Sequence, residues 1–134
     1  MGLKRRSREL ALQMLFQMDL GTVRLKDLEE NFLPQASAPE AAKVMALRMT
    51  RNTWEHISEI DQNLRSLADN WDLSRMAGVD RNILRLAAYE ILFDAEIPKS
   101  VAINEAIEIV KRFSTDESSK FVNGILDKLQ KQKI

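Results

Sequence analysis

The feature that most constrains this chain is how rarely its helical periodicity is interrupted. Apolar residues recur at helical spacing along most of the sequence, only four glycines and three prolines punctuate it, and apolar/polar alternation is nowhere sustained. An all-α fold is therefore expected. A first helix is predicted over about Arg5 to Asp19, stopped by Gly21, and a short second one over roughly Leu25 to Leu33. PQASAPE reads as a loop in which Ser37 and Pro39 suit a helix start. A long periodic stretch then runs to about Ala68, carrying Val44, Leu47, Ile57, Ile60, Leu64 and Leu67. NWDLSRMAGVD forms an irregular connector. Asp80 is a good N-cap for a helix through Phe93, Pro98 and Ser100 introduce another ending near Phe113, and STDESSK leads into a last helix ending near Gln130. The connector from Trp71 to Gly78, with Trp71 as its plug, is the expected seam of a single domain. It separates an N-terminal half of about 1–70 from a C-terminal half of about 71–134.

Composition narrows the function classes. The 134 residues suffice for one compact domain burying roughly two thirds of its unfolded surface. With no cysteine, there is no disulfide, thiolate nucleophile or zinc–thiolate site, and a reducing compartment is the natural inference. No apolar run approaches the roughly 20 residues that cross a bilayer. Glu9, Gln13 and Gln17 interrupt any signal-peptide core, so a cytoplasmic protein without membrane contact is expected. The 20 basic and 20 acidic residues balance, so attraction for nucleic acid must come from a local patch. The single histidine, His56, has no Cys or second His at metal-ligand spacing. No phosphate-loop, dinucleotide or nucleophile-elbow motif occurs, and pairs such as Glu29/Glu30 and Asp116/Glu117 read as solvated faces or helix N-termini.

One patch stands out. The opening stretch LKRRSRELALQMLFQ places Lys4, Arg5, Arg6 and Arg8, with no acid, in the first eight residues. On a helical wheel Leu10, Ala11, Met14, Leu15 and Met18 form the buried stripe within about 140°, while Arg5, Glu9, Leu12, Gln13 and Phe16 lie opposite. An accessible ring near several cations supplies what RNA binding uses, stacking for an unpaired base and charge for phosphates. A solvated tail, with Phe16 covering another helix, is the alternative. In the helix from Asp80, Ile83, Leu84, Ala87, Ala88 and Ile91 share one face while Arg85, Tyr89 and Phe93 lie on the other. It is either a central, buried helix or one whose Arg85 and Tyr89 meet a partner.

The strings NWDLSRMAGVDRNILRLAAYEI, IPKSVAINEAIEIVKRFSTDESSKFVNGILDKL and KRRSRELALQMLFQ together resemble the NusB transcription antitermination family, in order and spacing. VAINEA followed by KFVNG carries most of the specificity. The resemblance implies a NusB-like fold of two small helical bundles, about six to seven helices, with no catalytic activity and no cofactor. It implies binding of single-stranded boxA-type RNA as a heterodimer with NusE, a small-subunit ribosomal protein, in an RNA polymerase antitermination complex that acts notably on ribosomal RNA operons. It assigns Lys4, Arg5, Arg6, Arg8, Phe16, Glu117, Lys120 and Phe121 to RNA, with Gln13 joining them from the open face of the first helix, and it assigns Asp80 to the partner face, where the helix phase adds Arg85 and Tyr89. Self-association into a homodimer is also implied for some members.

Two positions depart from the family pattern. Ser114 replaces a turn glycine and is expected to restrict the loop, and Glu117 has a longer carboxylate than the usual Asp. Gly124, inside the last helix, suggests close approach of a neighbouring helix. A helical adaptor that binds protein alone is a second reading. A third is the N-terminal domain of a ribosomal RNA methyltransferase, whose α/β domain does not occur within these residues.

Overall fold

The computed structural model describes residues 2–68 and 72–132, so the seam-plug reading of Trp71 lies outside the described residues. The regular structure it describes is helical: α1 Leu3–Asp19, α2 Leu25–Asp27, α3 Glu40–Glu55, α4 Ile57–Leu67, α5 Gly78–Phe93, α6 Lys99–Phe113 and α7 Asp116–Gln132. After α2 the chain tightens through a π-type turn, Leu28–Phe32, and a 3-10 turn, Leu33–Gln35. A further 3-10 turn, Leu73–Arg75, precedes α5.

α1 lies at the centre. Leu10, Ala11, Met14, Leu15 and Met18 are buried as the wheel requires, and Gly21, with φ of +84°, ends the helix in the left-handed region that favours glycine. Glu9 and Leu12, placed by the wheel on the open side, are buried too. The reason is that α1 serves two clusters. Ala11, Leu12 and Leu15 join α4, α5, α6 and α7 in the larger core, while Met14 and Met18 meet Leu28 and Leu33 in a smaller one, with Trp54 touching both. A helix flanked on two sides has no single apolar stripe.

α5 is the second central helix: ten of its 16 residues are buried and none is exposed. That decides between the two readings of its phase: Arg85 is only 7% exposed, so the expectation of an accessible Arg85 is overturned. Asp80 is not the N-cap, because α5 starts earlier, with Ala77 in the capping position and Asp80 in the first turn. The long helix predicted from Pro39 to Ala68 is broken at His56. There φ of −106° and ψ of 15° leave helical geometry, and the ring turns onto Phe93 with centroids 4.2 Å apart. In α6, Ile109 joins Ala102, Ile103, Ala106 and Val110 in the core, whereas Ile107 is half-buried. Gly124 is exposed, and a Cβ there would meet nothing within 4 Å, so no helix approaches it. The close approach occurs at Gly78, where a Cβ would lie 2.4 Å from Phe16 Cε1.

Candidate nucleic-acid interface

The charges of α1 run against its own dipole. Cations occupy its first turn, no acid does, and Asp19 sits at its C-terminal end, the reverse of what a helix macrodipole favours. Tertiary partners explain both ends. Arg5 forms a two-point pair with Glu105 of α6, Nε–Oε1 at 2.9 Å and NH2–Oε2 at 2.6 Å, which holds the Glu105 carboxyl below its ordinary range. Arg8 is 4% exposed and grips Glu90 of α5 through Nε at 2.9 Å and NH2 at 3.1 Å. Burial pushes the Glu90 carboxyl up, with Arg8 pulling it back. Arg6 bonds Glu9 at 3.3 Å and the Ser37 carbonyl at 3.0 Å. At the other end Asp19 receives Arg81, Asn82 and Arg85, and Arg85 also makes a two-point pair with Asp61 of α4, both distances 2.8 Å.

The expectation that Arg8 offers its charge to phosphate therefore fails on geometry: its guanidinium is buried and bonded within the fold. Arg5 and Arg6 are partly exposed, with carboxylates already in hand. Lys4 is exposed and, among the described residues, has no ion-pair partner. Tyr89 meets the His56 ring at a tilt and stacks with Phe93, with centroids 5.8 and 5.9 Å away, which ties it to the junction of α3 and α4.

Two adjoining grooves collect most of the other candidates. The first, about 260 Å³ and mainly apolar, is lined by Leu12, Gln13, Phe16, Gln17, Phe32, Val79 and Phe113. Phe16 is 36% exposed and Phe113 38%, so both rings present area to solvent. The second, about 300 Å³, is lined by Asp80, Glu117, Ser118 and Phe121 together with Arg75, Met76, Ala77 and Thr115. The start of α5 and the α6–α7 turn border both grooves. Lys120 is exposed one turn into α7. Ser114 has φ of −143°, outside the left-handed region that favours glycine, so its φ does not require glycine at this turn.

Sequence reasoning missed the residues that join these pieces. Arg112 bonds the buried Glu9 carboxylate at 2.8 Å and lies 5.5 Å over the ring of Phe113, which links the basic start of α1 to the aromatic groove. Phe32 and Arg75 were missed as well. The available signal was the pair Arg112-Phe113 immediately before a polar turn. The described residues form no group of three or more His, Asp or Glu that could hold a metal ion.

Comparison with known proteins points one way. The sequence model of the NusB family matches residues 5–131. A protein of Desulfitobacterium hafniense (strain DSM 10664 / DCB-2), called transcription antitermination protein NusB, is 48% identical over 128 residues, covering 94% of this chain and 86% of the relative. The solved NusB of T. maritima superposes with a TM-score of 0.83 at 42% identity, covering 96% of this chain and 91% of that one. A structure described as antitermination factors NusB and NusE in complex with double-stranded RNA shares the fold, with a TM-score of 0.81 at 24% identity over 99% of both chains.

Proposed function

The chain belongs to the NusB family, a family of transcription antitermination factors and not of enzymes, and from that premise we propose that it binds single-stranded boxA-type RNA together with NusE. The bound pair then joins an RNA polymerase complex in the cytoplasm that resists termination, notably on ribosomal RNA operons. The observation that carries this reading is the 48% identity over 94% of the chain to a protein of that name. The surface supports it. Phe16 and Phe113 offer stacking area, Arg112 lies over the Phe113 ring and shares the Glu9 carboxylate with Arg6, and the grooves continue past the α6–α7 turn to Phe121. Among the described residues no helix is long and apolar enough to cross a membrane.

A protein-only adaptor, or a homodimer built on the same face, keeps one observation in its favour: Arg5, Arg6 and Arg8 already hold carboxylates. Titration of a fluorescent boxA-like RNA with and without NusE, across a salt series, separates the readings. On the proposed reading the protein alone binds weakly, and NusE raises the affinity about tenfold, within the usual range of coupling between two ligands. Equal affinity in both conditions removes the cooperative mechanism. No RNA binding in either leaves the adaptor.

A further inference from the structure

Glu9 is a buried carboxylate to which RNA binding as such gives no task. The residue is 1% exposed, so no ligand reaches it. Both of its oxygens are nevertheless in use, each by a cation from a different part of the fold. Oε1 accepts from Arg6 NH1 at 3.3 Å, one turn back on α1, and Oε2 accepts from Arg112 NH1 at 2.8 Å, across 103 residues of chain. Each guanidinium has a second anchor. Arg6 NH2 donates to the Ser37 carbonyl at 3.0 Å, and the Arg112 guanidinium stands 5.5 Å from the centre of the Phe113 ring. The helix dipole favours a cation in the last turn of α6, but it does not account for the reach of Arg112 to α1.

Exposure separates this cluster from the other ion pairs of α1. Arg8 and Glu90 hide both partners, with side chains 4% and 2% exposed, as a brace of the core requires. At Glu9 only the acid is hidden: its side chain is 2% exposed, against 28% for Arg6 and 56% for Arg112. Ordering a long side chain in solvent costs conformational entropy, and a cation already held by the fold loses less freedom when an anion arrives. The planar fork of arginine suits that arrangement, because its several N–H groups let one cation serve a carboxylate and a phosphate together. We infer that Glu9 is a positioning residue for RNA: without touching the strand, it sets the guanidinium of Arg112, with Arg6 as its counterpart, in place for phosphate contact. The inference rests on the RNA-binding reading and deepens it, giving α6 a phosphate contact and α1 the buried group that aims it. A carboxylate that acted on RNA through its charge alone would do the reverse, because it repels phosphate.

The test uses the intact protein with NusE and the fluorescent boxA-like RNA, across a salt series, with the folding of each variant checked by circular dichroism. Arg112→Ala should weaken binding on the order of tenfold, as the loss of one hydrogen bond to a charged group does. It should also make the slope of log affinity against log salt shallower by about 0.7. Glu9→Gln should weaken binding about fivefold although it removes a negative charge, and at most about twofold in the Arg112→Ala protein, where the contact it aims is already gone. Wild-type or tighter binding by Glu9→Gln overturns the inference and leaves RNA binding standing. An equal loss in both backgrounds overturns it too and assigns Glu9 to the fold alone. If Glu9→Gln does not fold, Arg112→Lys decides: it keeps the charge at an exposed position without the planar fork, so it should bind more weakly than wild type, and wild-type affinity overturns the inference. Failure of wild type to bind the RNA overturns both.

Discussion

Arg8 and Phe16 stand about two turns apart on α1 and do different work. Arg8→Ala leaves the Glu90 carboxylate buried with Glu105 and Asp94 nearby, and an uncompensated buried charge costs about 3–5 kcal/mol. Urea unfolding should show that loss, while RNA affinity, measured where the variant remains folded, stays within about twofold of wild type, a small fraction of what a lost charged contact removes. Phe16→Ala should do the converse. It should cost about 1–3 kcal/mol of RNA affinity with an unchanged salt slope, because stacking releases no counterions. Arg6→Ala should make the slope of log affinity against log salt shallower by about 0.7. An Arg8→Ala protein of wild-type stability would show that the Glu90 pair contributes little to the fold. A large loss of RNA affinity in the folded variant would return Arg8 to the RNA surface.

At the level of the helices, the two glycines of α5 and α7 are in opposite circumstances. Gly78 lies against Phe16, so an added Cβ would sit 2.4 Å from the ring, and either the ring or the start of α5 has to move. Gly124 faces open space inside a regular helix. Gly124→Ala should therefore raise stability by about 0.5–1 kcal/mol, the helix-propensity difference, and Gly78→Ala should lower it by about 1–3 kcal/mol, the usual cost of overpacking. Thermal melts of the two variants decide this, and destabilisation by Gly124→Ala would mean that α7 has a neighbour the fold does not show. The same scale accounts for the charges of α1. An isolated helix with cations first and an acid last is disfavoured by its dipole, and the carboxylates of α5 and α6 at one end and the cations of α5 at the other offset that cost.

Across the whole molecule, the halves on either side of residues 71–78 are joined by ion pairs as well as by core. Arg8–Glu90 and Arg5–Glu105 tie the start of α1 to α5 and α6, while Asp19, Arg85 and Asp61 tie its end to α5 and α4. Burial raises the Asp19 carboxyl, but hydrogen bonds from Asn82, Arg81 and Arg85 outweigh it and hold the group below its ordinary 3.8. A depressed carboxyl contributes stability that is present above the unfolded value and is lost as pH falls through the folded one. Glu105, lowered by Arg5, acts in the same direction. Glu90, raised by burial, acts in the other, and its contribution is lost as pH rises above 4.5. Stability should therefore fall below about pH 3.8, in a single transition that circular dichroism and tryptophan fluorescence report together. Asp19→Asn should be less stable at neutral pH and lose less on acidification. Two separate transitions would make the halves independent units.

The all-helical class, the positions of most helix ends and the family itself were legible in the residues, because period, capping chemistry and motif strings are local properties of the chain. The short arc of Leu10, Met14 and Met18 and the stop at Gly21 needed no partner to be read. What the tertiary structure decided is where each charge goes. Lys4, Arg5, Arg6 and Arg8 look alike in sequence, yet only the packing of α5 and α6 against α1 brings Glu90 and Glu105 to two of them, while Arg6 finds Glu9 on its own helix and Lys4 stays exposed. Asp80 likewise reads as a helix cap until the α6–α7 turn brings Ser118 to it across 38 residues of chain. A side chain's period is set by its own helix, but burial and pairing depend on what other helices place beside it, and that information is spread over contacts no local pattern contains.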